Sequence, residues 1–101
     1  MKMLLTVDFP HEPFNTLVRT GQAAAVIDRI MDSIRPEAAY FTEQDGHRCG
    51  IFVVEVASQA AVPAIAEPFF LNFNANCKFR IVMSPIDLQE AGLDELGKRW
   101  G

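Results

Sequence analysis

The side chains able to bind a metal or act as nucleophiles are few in this chain of 101 residues. There are two histidines, His11 and His47, and two cysteines, Cys49 and Cys77. The cysteines form no Cys-x-x-Cys pair, and their spacing to the histidines matches no standard zinc motif, although a site built from both histidines and one cysteine is conceivable. Two cysteines are also too few for a disulfide scaffold, so both are expected to be reduced. The sequence therefore predicts neither a metal site nor a cofactor.

Three polar side chains are candidates for catalysis. Tyr40 is the only tyrosine, and its ring could orient an aromatic substrate or simply cover a sheet edge. Glu67 lies in an otherwise apolar segment, where burial would raise the pKa of its carboxyl and suit it to acid-base catalysis; a solvent-facing position would explain it equally well. Asp8 could act as a general base, although an ion pair across the sheet with Lys78 or Arg80 is the favoured interpretation. Whether the chain is an enzyme stays open.

A cluster of phenylalanines offers an apolar binding surface. Phe69, Phe70 and Phe73 recur at helical spacing, which is typical of core residues, but the same rings could line a cleft beside their helix. Together with Arg80 they are the candidate ligand-binding residues. The sequence has no glycine-rich phosphate loop, no Gly-x-Ser-x-Gly elbow and no His-Glu-x-x-His pair, so nucleotide and zinc-hydrolase chemistry lack their usual evidence.

Periodicity predicts the elements that must position these residues. Alternation every two residues predicts strands, and apolar spacing of three and four residues predicts helices. Gly21 interrupts the first helical pattern, which therefore forms either one helix or two. The predicted elements are a strand over 3–9, a helix over 14–34, hairpin strands over 38–43 and 49–56, a helix after Ser58, a strand over 78–83 and a weak C-terminal helix over 87–100.

This order of elements predicts one α+β domain over residues 1–101 with the ferredoxin-like βαββαβ arrangement. Both main helices would cover one face of a four-stranded antiparallel sheet of order 4-1-3-2, with an extra helix at the C-terminus. The helix-side face would carry Met3, Leu5, Val7, Phe9, Phe79, Ile81 and Met83. Because both neighbours of strand one run antiparallel to it, polar residues would gather at one end of the sheet, namely Asp8, His11, His47, Arg48, Cys49, Cys77, Lys78 and Arg80.

The second face of this sheet would have no helix over it. It would carry Leu4 and two apolar residues of strand three, either the odd-numbered or the even-numbered ones. An uncovered apolar patch of this kind is larger than monomers usually tolerate, and the same face of a second copy is the simplest cover. We therefore predict a homodimer through the sheet faces. The C-terminal tail is an alternative cover, folding underneath or reaching the partner with Trp100.

Charge and hydropathy exclude several classes of partner. The 13 acidic and nine basic residues give a net charge of −4, and no run of Lys or Arg is present to bind a phosphate backbone, so nucleic acid is not expected. No apolar stretch approaches the roughly 20 residues of a membrane-spanning helix. An acidic residue and a proline interrupt the N-terminal apolar run before a signal-peptide core could form. The expected location is the cytoplasm.

Longer stretches of the chain resemble a known group of proteins. They are 36–41 (PEAAYF), 63–71 (PAIAEPFFL), 73–75 (FNA) and 82–85 (VMSP), followed by Asp87-Leu88 and Ala91-Gly92. Over nearly its whole length the chain is similar to a group of small uncharacterised bacterial proteins, and that group resembles the dimeric α/β-barrel superfamily. The resemblance implies ferredoxin-like protomers paired through their sheets. Members of the superfamily include cofactor-free monooxygenases, muconolactone isomerases and haem-degrading enzymes.

The leading hypothesis is a small cytoplasmic homodimer that binds an apolar or aromatic molecule between sheet and helices. One alternative is a cofactor-independent monooxygenase or isomerase, with Tyr40, Glu67 and Asp8 as its polar groups. Another is a structural or regulatory interaction module with no ligand. An enclosed pocket of roughly 300 Å³ beside the phenylalanine-bearing helix would distinguish the first two hypotheses from the third.

Overall fold

A computed structural model describes all 101 residues and shows an α+β domain with a four-stranded antiparallel sheet. The strand order β2-β3-β1-β4 is the predicted order 4-1-3-2 counted from the opposite edge. The arrangement is compatible with a ferredoxin-like fold. The elements are β1 (Lys2–Phe9), α1 (His11–Arg19), α2 (Ala23–Ile34), β2 (Ala38–Gln44), β3 (His47–Glu55), α3 (Ala61–Phe73), β4 (Asn76–Ile81), α4 (Pro85–Glu90) and α5 (Leu93–Trp100).

Glycines in the left-handed region decide two of the chain's turns. Gly21 has φ 73°, a conformation that glycine adopts without a steric cost, and it separates α1 from α2. The first helical pattern is therefore two helices rather than one. At the tip of the β2–β3 hairpin, Asp45 and Gly46 both have positive φ, as an Asp-Gly turn between antiparallel strands requires.

The core lies between one face of the sheet and helices α1 to α3. Leu5, Val7 and Phe9 alternate along β1 and are fully or almost fully buried. The ring of Phe9 packs edge-on against Phe14 and Phe73, with centroids 5.3 and 5.1 Å apart. These interlocking rings fill the space between the sheet and α3, so this part of the interior is solid.

The helices do not cover the whole of that face. β4 ends at Ile81, and Ile81 and Met83 are 60% and 62% exposed, although both were predicted to pack under the helices. Phe79 contacts the core cluster as expected, and so does Cys77, two residues before it. Met3 and Val54, in the same row of the sheet as Ile81, are covered, so the difference arises because β4 is an edge strand and Met83 lies beyond its end.

The opposite face of the sheet, which we call the open face, has no helix over it. The strand register settles which residues of β3 it carries, since Phe52 is paired with the buried Leu5 whereas Ile51 is paired with Thr6. Directly paired residues of antiparallel strands point to the same side of the sheet. The open face therefore includes Leu4, Thr6, Asp8, Tyr40, Thr42, Cys49, Ile51, Val53, Lys78 and Arg80.

Residues 82–101 form a C-terminal arm beyond the sheet. A Ser84–Asp87 capping box begins α4, and Gly92, at φ 71°, separates α4 from α5, so the single weak helix predicted over 87–100 is two short helices. Neither helix contains a buried residue. None of the five helices is long and apolar enough to cross a membrane.

Candidate functional site

Four of the residues predicted to gather at one end of the sheet, Asp8, His47, Cys49 and Lys78, line a cavity there, which we call the polar cavity. Arg48 and Cys77 lie on the helix side of the sheet instead. Asp8 Oδ1 lies 3.6 Å from His47 Nδ1, and the rings of His47 and His11 are 4.9 Å apart. The cavity has a volume of about 290 Å³, and a second hollow of about 440 Å³ continues along the open face toward Arg80. The lining residues of the polar cavity include Thr6, Asp8, Gln44, His47, Cys49 and Lys78.

Asp8 has a different partner from the one expected. We predicted an ion pair with Lys78 or Arg80, but Asp8 is paired in the ladder with Asn76, whereas Lys78 and Arg80 lie opposite Thr6 and Leu4. The carboxylate pairs instead with His47, which begins β3. Neither Lys78 nor Arg80 forms an ion pair within the chain. The open face thus carries two cations without counter-ions.

Burial raises the pKa of both cysteine thiols. Cys49 is buried, and burial together with the nearby Asp8 carboxylate raises the pKa of its thiol. Burial alone raises the pKa of Cys77 to about 11. Cys77 is paired with Val7 on the helix side of the sheet, whereas Cys49 is paired with Asp8 on the open face. Both thiols are neutral at pH 7, and no three His, Cys, Asp or Glu side chains form a group that could hold a metal ion.

The three predicted catalytic residues do not share a cavity. Asp8 lines the polar cavity. Tyr40 lies on the open face of the edge strand β2 and is 70% exposed, outside every cavity. Glu67 is exposed on α3, on the other side of the sheet. The sheet separates Glu67 from the other two, so these side chains cannot act on one substrate within a single copy.

The predicted ligand-binding residues are also dispersed. Phe69 and Phe73 belong to the solid core, Phe70 points outward from α3, and Arg80 lies on the open face. The only cavity in contact with α3 is a surface groove of about 180 Å³ against α2, lined in part by Pro68 and Asn72. The enclosed pocket expected beside this helix is therefore not formed, because aromatic rings occupy its volume.

A different cavity does lie between sheet and helices, on the side of α1 and α2. This aromatic cleft, as we call it, has a volume of about 260 Å³. Its walls are Phe14 from α1, Ile27 from α2 and Phe41 from β2, and Thr42, Arg48 and Cys49 complete it. Phe41 is half-exposed and contacts the buried ring of Phe52 edge-on at 5.6 Å. The cleft thus presents one solvent-accessible aromatic ring held by the core.

Arg48 supplies the only charge in the aromatic cleft. Its guanidinium carbon lies 4.4 Å from the centroid of the Phe14 ring, and its Nη1 donates a hydrogen bond to Asn15 Oδ1 at 2.8 Å. These contacts fix the planar group but use only part of its five N–H donors. Arg48 forms no ion pair with any carboxylate of the chain. A cation fixed in place against an aromatic wall is suited to bind an anionic group on an aromatic molecule.

Gly50 is needed for the packing beside the cleft. A Cβ atom at this position would lie 2.6 Å from Cζ of Phe52, closer than side-chain atoms approach one another. The Phe52 ring therefore lies directly over Gly50, and Phe41 is the ladder partner of that glycine on β2. This arrangement places the Phe41 ring where it can form the outer wall of the cleft.

Sequence reasoning missed Phe14, Ile27, Phe41 and Arg48 as site residues. The hairpin register holds a signal for two of them, because Phe41 pairs with Gly50 and Glu43 with Arg48, which places Phe41 and Arg48 on one face. Comparison with protein-family models, curated proteins and solved structures gives no significant match. The assignment of a function therefore depends on the geometry of this chain.

Proposed function

We propose that this protein binds a small aromatic molecule carrying a carboxylate in the aromatic cleft, and that it does so as a homodimer. The observation that carries the proposal is the combination of two aromatic walls, Phe14 and Phe41, with the fixed guanidinium of Arg48. The proposed ligand class and its place between sheet and helices are those expected from the sequence. The proposed site, however, lies beside α1 and α2 rather than beside α3.

The size of the aromatic cleft limits the ligand. Its volume of about 260 Å³ is close to the lower end of the roughly 300–1,000 Å³ that small-molecule sites occupy. A molecule of one or two fused rings fits this space. Such a ring would pack against Phe41, Phe14 and Ile27, burying apolar surface that the free protein exposes to water.

Arg48 is the group expected to select a carboxylate. Its guanidinium can bind both oxygens of a carboxylate, and hydrogen bonds to charged partners are stronger than neutral ones. Because Asn15 and Phe14 already hold the side chain, little conformational entropy is lost when the ligand binds. A neutral aromatic molecule would gain the ring contacts but not this interaction.

The homodimer is proposed on the basis of the open face. Leu4, Ile51 and Val53 are adjacent across β1 and β3, and no helix lies over them. In a two-fold dimer the apolar patch of each copy covers the same patch of the other copy. This is the sheet pairing implied by the resemblance to the dimeric α/β-barrel superfamily. Two neutral thiols are consistent with a reducing compartment, and we infer a cytoplasmic location.

Binding is proposed rather than catalysis because the aromatic cleft has no acid-base pair. Its only ionisable side chain on the helix side of the sheet is Arg48, since Thr42 and Cys49 belong to the open face by the strand register. The polar cavity contains the Asp8–His47 pair, but no ring-sized apolar wall accompanies it. An isomerase or monooxygenase would need a proton-transferring group beside the bound ring, and none lies in the cleft.

Isothermal titration with 2-naphthoate and with its neutral analogue 2-naphthamide tests the proposal. We expect the carboxylate to bind roughly tenfold or more tightly, since a hydrogen bond to a charged group contributes about 1.5–3 kcal/mol. Arg48→Met should abolish this preference, and Phe41→Ala should weaken both ligands. Phe70→Ala is the matched control, because Phe70 is a comparably exposed phenylalanine on α3.

Two outcomes would contradict the proposal. One is equal affinity for the two ligands in the wild-type protein, with no effect of Arg48→Met. The other is the absence of binding at millimolar ligand, which would favour an interaction module without a ligand.

A further inference from the structure

The C-terminal arm exposes an apolar stripe that nothing in its own chain covers. On α5, Leu93, Leu96 and Trp100 are spaced by three and four residues and therefore lie on one side of the helix. Trp100 is 78% exposed, and the other two are also exposed. The last backbone hydrogen bond that ties the arm to the sheet joins Val82 N to Lys2 O.

The dimensions of the molecule show how far the arm extends from the domain. The longest axis is 60 Å, whereas the eight residues of β1 span only about 27 Å at the usual strand rise. The radius of gyration is 17.1 Å, compared with about 13 Å for a compact domain of this length. The arm accounts for this excess, because sheet and helices α1 to α3 form one packed body.

The exposed surface area also shows that the chain is more extended than a compact monomer. The single chain exposes 7079 Å², whereas a compact monomer of 11.3 kDa exposes about 5,700 Å². Each copy thus exposes roughly 1,400 Å² in excess of a compact monomer. Two copies together could bury about 2,800 Å², which is within the range of obligate homodimers.

An isolated arm would not keep its helices. Helices shorter than about 12–15 residues are marginally stable in water unless they pack against something. α5 has eight residues, and a single exposed i,i+3 ion pair, Lys98 with Glu95 at 3.3 Å, contributes little to it. Its amphipathic pattern therefore requires a surface to pack on.

We propose that this surface belongs to a second copy of the chain: the stripe of Leu93, Leu96 and Trp100 packs on the partner's open face, beside β4. The proposal rests on the homodimer proposed above and adds that the dimer exchanges its arms. The surplus surface of each chain favours a second copy as the partner, because its area is of the size that a stable dimer buries.

Charge favours the same location. Arg80 and Lys78 stand on the open face without ion-pair partners. The arm is acidic, with four carboxylates and two cations, and its carboxylates are Asp87, Glu90, Asp94 and Glu95. An arm from the partner would bring acidic residues to the two unpaired cations while its apolar stripe covers exposed parts of the sheet.

Trp100 allows a direct test, because it is the only tryptophan. Its fluorescence and the molecular mass by light scattering are measured over a range of protein concentrations. We expect a blue-shifted, quencher-protected emission in the dimer and a red shift on dilution that follows dissociation. The double variant Leu93→Asp, Leu96→Asp should raise the dimer dissociation constant at least tenfold. Leu71→Asp, at an exposed leucine of α3, is the matched control and should leave the constant unchanged.

The outcomes separate this inference from the dimer on which it depends. If Ile51→Asp dissociates the dimer but the arm variant does not, the sheet-face dimer stands and the exchanged arm is refuted. If Trp100 is protected in a monomer at high dilution, the arm packs on its own chain and the inference is wrong. If the chain is monomeric at every concentration, both assembly proposals fail, whereas the ligand titration of the aromatic cleft is unaffected.

Discussion

Gly50→Ala is the substitution that should most clearly connect the core to the aromatic cleft. The added methyl group would lie 2.6 Å from Cζ and 2.7 Å from Cε2 of Phe52. Phe52 cannot turn away freely, because it is fully buried and stacked on Phe69 with centroids 5.6 Å apart. The Phe52 ring must therefore shift, and with it the edge-on contact to Phe41.

The expected cost follows from this geometry. Overpacking a well-filled core by one methyl group destabilises a protein by about 1–3 kcal/mol. Taking about 2.1 cal/mol/K of unfolding entropy per residue, 1 kcal/mol corresponds to roughly 5 °C for a chain of this length. We therefore expect Gly50→Ala to lower the melting temperature by about 5–14 °C and to weaken naphthoate binding through the displaced Phe41 ring.

Thermal unfolding followed by circular dichroism at one fixed protein concentration measures this effect. Ser33→Ala is the matched control, since the position is exposed inside α2, away from Phe52 and from the C-terminal arm, and alanine is the better helix former. The control should be neutral or slightly stabilising. A melting temperature for Gly50→Ala equal to that of the wild type would refute the packing described for Phe52.

Three further predictions concern single residues. Phe73→Ala should cost about 3–5 kcal/mol in chemical denaturation because it leaves a cavity in the buried aromatic cluster, whereas Phe70→Ala, at a half-exposed ring, should cost far less; equal losses would contradict the core assignment. The raised pKa of Cys77 makes the folded state hold its proton longer than the unfolded state, so Cys77 should favour folding up to about pH 8.5 and lose that contribution as pH rises toward 11. Cys77→Ser should flatten this alkaline decline in stability, and an unchanged decline would show that other groups cause it. Ser84→Ala should lower the helical circular dichroism signal by fraying α4, because the Ser84 hydroxyl accepts the hydrogen bond of Asp87 N; an unchanged spectrum would show that the cap is dispensable.

Much of the sheet could be predicted from the sequence, because the local residue pattern and the packing of the whole domain agree there. The alternation of Leu5, Val7 and Phe9 identifies both a strand and the side on which its core lies. The Asp45-Gly46 pair identifies the hairpin and its turn. Strand order then follows from the sequence of elements, since few connections of this kind are sterically reasonable.

The candidate site could be predicted only in part, because it depends on relative positions that no local pattern encodes. The predicted hairpin strands over 38–43 and 49–56 leave His47 in the connection, but the two-residue turn makes it the first residue of β3 and brings it to Asp8. The cluster of Phe69 and Phe73 has the composition of a binding site, and only the packing of Phe9 and Phe14 against it shows that its volume is filled.

The aromatic cleft was missed for a related reason. Phe41 reads as an ordinary strand residue, and its exposure arises because α1 and α2 stop short of the edge strand β2. Arg48 likewise lies on the helix side of β3, a position that the hairpin register could have revealed. The helical spacing of Leu93, Leu96 and Trp100 likewise predicts an amphipathic helix, but it does not indicate which surface that helix packs on.

The most direct test of the central claim is backbone chemical-shift mapping of the ¹⁵N-labelled protein by NMR during titration with 2-naphthoate. Binding in the aromatic cleft predicts the largest, saturable shifts at the amides of Phe14, Ile27, Phe41 and Arg48, with little change at Asp8 and Lys78. Shifts concentrated at the polar cavity or along the C-terminal arm, or no saturable shift at any amide, would contradict it.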